Sequence, residues 1–303
     1  MPPTLSPRRG CRYWFKLLIV GLIGGLLIGY VAYVIMAAEM YAQPAQTSLG
    51  GVTPGEKGLV YEDVTLITSD GITLKGWYLP SHNGAALIML HGYGGSRLEM
   101  LQRAALLAKH GYGVLLYDER ASGESAGDKR TFGWLDVNDV PLALGYLRSR
   151  SEIDPQRIGI LGFSIGGQIA LRAAAQSDQI KVVIAEEPGF ARISDVPDIP
   201  TLEDKFYVVS YWLGERWLSL RTGIPIPEGV LDGLPRIAPR PILFIATGQD
   251  YGRTLVKYFF DRAGEPKQWW EVPEATHGGS PLVRPAEYET TIIDFLDRTL
   301  AKR

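Results

Sequence analysis

The chain has 303 residues, 46% of them hydrophobic, a formal net charge of −2 and one cysteine, Cys11. That length suits one large domain plus an accessory segment, with ample chain for a core. A single cysteine excludes a disulfide framework and a cysteine metal site, and the lack of a basic cluster beyond the N-terminus excludes a nucleic-acid surface, so no metal, cofactor or nucleic acid is expected.

Residues 1–16 carry Arg8, Arg9, Arg12 and Lys16. Leu17–Ala38 then runs 22 residues without a charge, and Glu39 follows. As a helix this run is about 33 Å long, enough for a hydrocarbon core of about 30 Å. The expectation is a transmembrane anchor at 17–38, with the basic N-terminus in the cytoplasm and the rest of the chain across the membrane. A cleaved signal peptide would have a shorter apolar region and a small-x-small site, for which Ala42 and Ala45 serve poorly. Gly21, Gly25 and Gly29 share one helix face and could seat a second copy of the chain, although glycine is common in membrane helices anyway. Residues 39–58, with Pro44 and Pro54, read as a linker to a domain at 59–303.

Val64–Thr68 and Ile72–Tyr78 alternate apolar and polar residues around Ser69-Asp70-Gly71, which predicts a hairpin. The pattern then changes to short continuous apolar runs, the mark of strands buried on both faces: Ala86–Leu90, Val114–Tyr117, Ile158–Leu161, Val182–Ala185 and Ile242–Ala246. Helical spacing appears at Leu98–Lys109, Leu135–Arg148, Gln168–Ala175, Leu255–Arg262 and Ala286–Leu300, with a further strand at Gln268–Val272. Strands alternating with helices predict an α/β fold: a mostly parallel sheet, helices on both faces and an antiparallel N-terminal hairpin. Residues 188–239 are too long for a plain crossover and carry Tyr207, Tyr211, Trp212 and Trp217. They read as a small helical cap, with Tyr207, Tyr211 and Trp212 as candidate substrate contacts, although most such aromatics serve packing.

The chemistry centres on Gly162-Phe163-Ser164-Ile165-Gly166, between a predicted strand and a predicted helix. Such a turn exposes a serine oxygen to a substrate carbonyl, and Gly162 and Gly166 keep it free of Cβ clashes. A serine needs a base. His277, in the loop between the last strand and last helix, is the candidate, whereas His82 and His110 read as solvated. The base needs a carboxylate, and Asp250, four residues past Ile242–Ala246, is expected to supply it. Glu186 and Glu187, after the preceding strand, are the rivals. An oxyanion would be held by the Ile165 and Tyr93 N–H groups, the latter in the glycine-rich loop His91-Gly92-Tyr93-Gly94-Gly95-Ser96. That loop lacks the lysine and glycine spacing of a nucleotide site.

With His91–Ser96, Tyr117-Asp118-Glu119-Arg120-Ala121-Ser122-Gly123-Glu124-Ser125, Gly162–Gly167, Asp250 and His277 in this order, the chain resembles the α/β-hydrolase superfamily over about Val60 to Leu300. The likeness is greatest to serine-aminopeptidase-like, monoacylglycerol-lipase-like and membrane-anchored depalmitoylase-like members. It departs at Ala121, where that superfamily commonly has glycine, and at Tyr251-Gly252-Arg253-Thr254, where a Val-Pro is common. The expected activity is that of a serine hydrolase working through an acyl-enzyme on a carboxylic ester or thioester, since no charged subsite for a peptide terminus stands out, and the anchor favours lipid-derived acyl groups. Peptide or amide cleavage, acyl transfer, or non-catalytic binding on the same fold are the alternatives.

Overall fold

The computed structural model describes residues 8–197, 201–248 and 250–301. The chain divides into two compact units: Met1–Tyr41 with Pro200–Ile224, and Ala42–Ile199 with Pro225–Arg303. In chain order, α1 (Arg8–Ala42) is followed by β1 (Ala45–Gln46), β2 (Glu62–Ile67), β3 (Thr73–Leu79), β4 (Ala86–Leu90), α2 (Arg97–Lys109), β5 (Gly113–Tyr117), β6 (Ser122–Gly123) and α3 (Val140–Arg148). Then come β7 (Ile158–Phe163), α4 (Ile165–Gln176), β8 (Val183–Glu186), α5 (Leu202–Thr222), α6 (Val230–Gly233), β9 (Ile242–Thr247), α7 (Asp250–Arg262), β10 (Lys267–Val272), α8 (Ser280–Val283) and α9 (Pro285–Thr299).

The larger unit is built on an eight-stranded sheet in the order β10-β9-β8-β7-β4-β5-β3-β2. Strands β4, β5, β7, β8, β9 and β10 run parallel, while β3 pairs antiparallel with both β5 and β2. Alternation along each strand divides the core between the two faces. On β4, Ile88 and Leu90 join Leu144 of α3 and Ile169 of α4. Leu87 and Met89 join Met100 of α2 and Leu296 of α9 on the other face. This explains the unbroken apolar runs in sequence: every position of β4, β5 and β7 is buried.

Two expectations differ in detail. The helix anticipated over Leu135–Arg148 is split into a 3₁₀ turn at Asp136–Asp139 and α3. Pro141 has no N–H to continue a helix through, but fits the first turn of a new one. The linker anticipated at 39–58 is partly ordered: α1 runs on to Ala42, and β1 pairs parallel with β6.

The insertion between β8 and β9 is closed at its base by one buried side chain. Asp195 accepts hydrogen bonds from the N–H groups of Ala191 and Arg192 on the outgoing strand of chain, and of Val230 and Leu231 on the returning one, at 3.0–3.2 Å. The helix it leads to, α5, belongs to the smaller unit with α1. Residues Arg12–Ala42 of α1 form a helix long and apolar enough to cross a membrane.

Candidate active site

The parallel strands bring their carboxyl ends to one edge, where the loops after β4, β7, β8 and β10 meet. Ser164 leaves β7 with φ 54° and ψ −117°. A non-glycine residue in this region is strained, and such strain is held only where surrounding contacts enforce it. Here the Ser164 N–H donates to the Glu186 carbonyl (2.9 Å), and the Ser164 carbonyl accepts from Gly167 and Gly189 (2.9 Å each). The turn has no room for side chains. A Cβ on Gly162 would overlap the Gly166 carbonyl, and one on Gly166 would lie 2.5 Å from the Leu90 carbonyl oxygen. These glycines let α4 begin directly against the end of β4, with the Gly166 N–H on the His91 carbonyl at 3.1 Å.

Near that contact Tyr93 and Ile165, the two expected oxyanion donors, line one small cavity with Glu119, Arg130 and Phe132. The Tyr93 ring stacks on Phe132 at 5.4 Å, with the Arg130 guanidinium 4.1 Å from its centroid. The Gly92 N–H is tied to Glu99 Oε2 at 2.7 Å. His91 is fully buried and uses both ring nitrogens, Nδ1 with the Gly92 carbonyl (2.7 Å) and Nε2 accepting from the Glu119 N–H (2.9 Å). Burial pushes its pKa down, and the acceptor role of Nε2 requires the neutral ring. His91 therefore clamps the glycine-rich loop to the loop after β5. In that second loop, buried Asp118 accepts from the backbone of Arg97 and Glu124 and pairs with the Arg97 guanidinium.

His277 lies against the residue before the serine, its ring 4.8 Å from that of Phe163. Its Nδ1 is 2.8 Å from Glu187 Oε2. The same carboxylate accepts from the Gly278 N–H (2.8 Å) and the Thr247 hydroxyl (2.7 Å), so the end of β9 and the histidine loop are fixed to it. Glu187 is the first residue past β8 and takes φ 47°, which swings its side chain off the strand line. The hydrogen bond that His277 donates to Glu187, and then the charge of Glu187, raise the His277 pKa against the opposing effect of burial.

The sequence alone favours Asp250 for this position. Asp250 is the first residue of α7 and its side chain lies outside the described residues, whereas the carboxylate on His277 Nδ1 is that of Glu187. The other rival, Glu186, serves elsewhere. It takes two hydrogen bonds from Arg103 (2.8 and 2.6 Å) and one from the Tyr288 hydroxyl (2.9 Å), all buried. Arg103 also donates to the Gly278 carbonyl at 3.2 Å, so this cluster braces the histidine loop from beneath. The candidate substrate contacts Tyr207, Tyr211 and Trp212 sit on α5, where Tyr207 and Tyr211 pack on each other at 4.4 Å and Arg216 covers Trp212 at 3.9 Å. Among the described residues no cluster of His, Cys, Asp and Glu could hold a metal ion.

The alpha/beta hydrolase family model matches residues 87–291. A thiohydrolase of Aspergillus aculeatus, aneE, is 34% identical over 155 residues, 49% of each chain, so the chain spans about half the length of that relative. A Mycobacterium tuberculosis protein, Rv2307c, is 30% identical over 247 residues, covering 78% of this chain and 79% of that one. The Pyrococcus furiosus esterase Pf2001 superposes with a TM-score of 0.69 at 26% identity, covering 86% of this chain and 98% of the esterase. With its sheet order, its strained serine turn and a match across two thirds of its length, the chain belongs to the alpha/beta hydrolase family.

Proposed function

We propose that this chain is a membrane-anchored serine hydrolase that cleaves a carboxylic ester or thioester, with Ser164 as nucleophile, His277 as base and Glu187 as its orienting acid. The observation that carries this reading is the 2.8 Å contact between Glu187 and His277 Nδ1. It keeps the Nδ1 proton in place and leaves Nε2 to accept a proton. Ser164 Oγ attacks the acyl carbon as His277 Nε2 takes its proton. The carbonyl oxygen, now negative, is held by the Tyr93 and Ile165 N–H groups. Protonated His277 then gives its proton to the leaving alcohol or thiol, and the acyl group stays on Ser164. Water, deprotonated by His277, attacks the acyl-enzyme; collapse expels Ser164 Oγ, which regains its proton, and the acid leaves. The names of the thiohydrolase and esterase relatives support ester and thioester substrates over peptides. The basic residues before α1's apolar run support a cytoplasmic N-terminus, with the hydrolase unit across the membrane.

The test is fluorophosphonate labelling of the full-length chain in lipid nanodiscs, beside Ser164→Ala, His277→Ala and Glu187→Gln. Labelling of the wild type that vanishes in Ser164→Ala and falls steeply in the other two is the expected result. A folded wild type that stays unlabelled, or labelling indifferent to His277, overturns the assignment.

A further inference from the structure

The smaller unit pairs the anchor with a helix that the hydrolase chemistry does not explain. Along α5, Phe206, Ser210, Gly214, Trp217 and Arg221 recur at helical spacing and face α1. The Tyr30 hydroxyl lies 2.7 Å from Ser210 Oγ, and its ring packs edge-on against Phe206 at 6.2 Å. Further along, Gly214 brings α5 close to Ala38, and the Trp217 indole donates to Glu39 at 2.9 Å. The two helices therefore run side by side in the same direction, with α5 beginning beside Ile23–Tyr30.

This pairing divides α1 into two parts. Val34 and Ala38 are buried (4% and 7% exposed), whereas Leu22, Leu26, Leu27 and Ile28 are 60–73% exposed. On the face of Val34 and Ala38, cover by protein thus begins near Tyr33, while Met36 and Met40 on the other side of the helix stay 55% and 63% exposed. Tyr13 and Tyr33 stand twenty residues apart, about 30 Å along a helix, the thickness of a hydrocarbon core. Aromatic residues at such spacing mark the two interfaces. With Tyr33 at one of them, the start of α5 lies below the membrane surface. Its first turns carry partly exposed Phe206 and Val209 beside the anchor and Trp212 further round, and Lys205 has a stem long enough to lift its charge to the surface.

Between the helices is a groove of about 590 Å³ lined by Ile23, Leu26, Leu27, Tyr30, Phe206 and Val209, with Lys205 at its edge. Four of these seven residues belong to the anchor's uncharged run, so the groove opens where acyl chains are. We propose that α5 is a second membrane-contacting element and that this groove holds an acyl chain of a bilayer lipid. The proposal rests on the anchor reading above. The opposite face of α1, with Gly21, Gly25 and Gly29, stays open for a second copy of the chain.

The test places single cysteines at Val209, Leu220, Leu27 and Val60 in a full-length Cys11→Ser background. Each is labelled with bimane in phosphatidylcholine nanodiscs, then quenched by lipids brominated on their acyl chains or by aqueous iodide. The 209 probe is expected to be quenched by bromolipid to at least half the extent of the 27 probe, the 220 probe less, and the 60 probe by iodide alone. A 209 probe that follows the 60 probe while the 27 probe follows lipid overturns the proposal and leaves the anchor standing. If the 27 probe also follows iodide, the anchor reading itself fails. A 209 probe shielded from both quenchers overturns the lipid assignment in favour of a protein occupant.

Discussion

Replacing Glu187 with glutamine keeps the side chain's shape but leaves one acceptor oxygen where the native carboxylate has two. Glu187 is 5% exposed, and its carboxylate serves three donors: Gly278 N–H on Oε1, and the Thr247 hydroxyl and His277 Nδ1 on Oε2. If the amide oxygen faces Gly278, the amide NH₂ meets His277, which must then carry its proton on Nε2, the nitrogen that should accept from Ser164. If the oxygen faces His277 instead, two buried donors oppose each other at Gly278, at a cost of about 1–3 kcal/mol. The first arrangement relieves that clash and disables the base. A wrong histidine tautomer costs about 10⁴-fold in kcat, or about 5 kcal/mol of barrier. The assay is kcat/KM toward a p-nitrophenyl ester across pH, with thermal melting as the folding control. The pH dependence has a definite sign. His277 must be neutral to act as base, and Glu187 raises its pKa, so the wild-type acid limb lies above the ordinary histidine value of about 6.5. Glutamine moves that limb down. The same raised pKa adds stability that is complete below the unfolded value and lost as pH rises through the folded one, and glutamine abolishes this too. Wild-type rate and profile in Glu187→Gln, beside a loss of 10³-fold or more in Asp250→Asn, would refute the reasoning and return the acid's role to Asp250.

Three further substitutions probe how the site is held. Gly162→Ala drives a methyl into the Gly166 carbonyl with no flexible side chain to yield, so stability falls by about 3 kcal/mol or more in urea titration. His91→Leu strands the buried Glu119 N–H and releases the Gly92 carbonyl, for a loss of about 1–3 kcal/mol and a fall in kcat larger than the change in KM as the Tyr93 loop loosens. Asp195→Ala removes the acceptor of four N–H groups at the base of the α5 insertion. Calorimetry is expected to show a melting temperature lower by about 6–12 °C, the equivalent of about 3 kcal/mol in a domain of this size, while an unchanged value would mean that the two stems hold together without it.

Most of the sheet and the serine turn were legible because they follow from local chemistry. A strand covered on both faces must be apolar throughout, and a turn as tight as Gly162–Gly166 admits little but glycine around its serine. The acid proposed above was not legible, because three carboxylates lie at or beyond the ends of β8 and β9 and the choice depends on a backbone angle. One signal was present. Glu186 shares the parity of Ile184, which faces α2 and α9, where Arg103 and Tyr288 supply partners. Glu187, past the end of the strand, is free of that parity, and its φ of 47° turns it toward His277. The protein-covered stripe of α1 was hidden for another reason. A membrane run is apolar whether it faces lipid or protein, so its composition does not reveal where α5 begins to cover it.

The division of labour between His91 and His277 follows from the same accounting of donors and acceptors. Both follow strands at the carboxyl edge of the sheet, and both stand close to the serine turn. His91 commits both nitrogens to backbone groups and is buried, so it is held neutral and has no site left for a proton from Ser164. His277 gives Nδ1 to a carboxylate, and its side chain remains about half exposed (52%). A base must gain a charge during the reaction, which a buried ring already spent on two backbone partners resists and a ring beside an anchored carboxylate welcomes. On the proposed mechanism the two histidines could therefore not exchange roles even at equal distance from Ser164. Glu187 decides between them, because its charge is fixed by Gly278 and Thr247 before any proton moves.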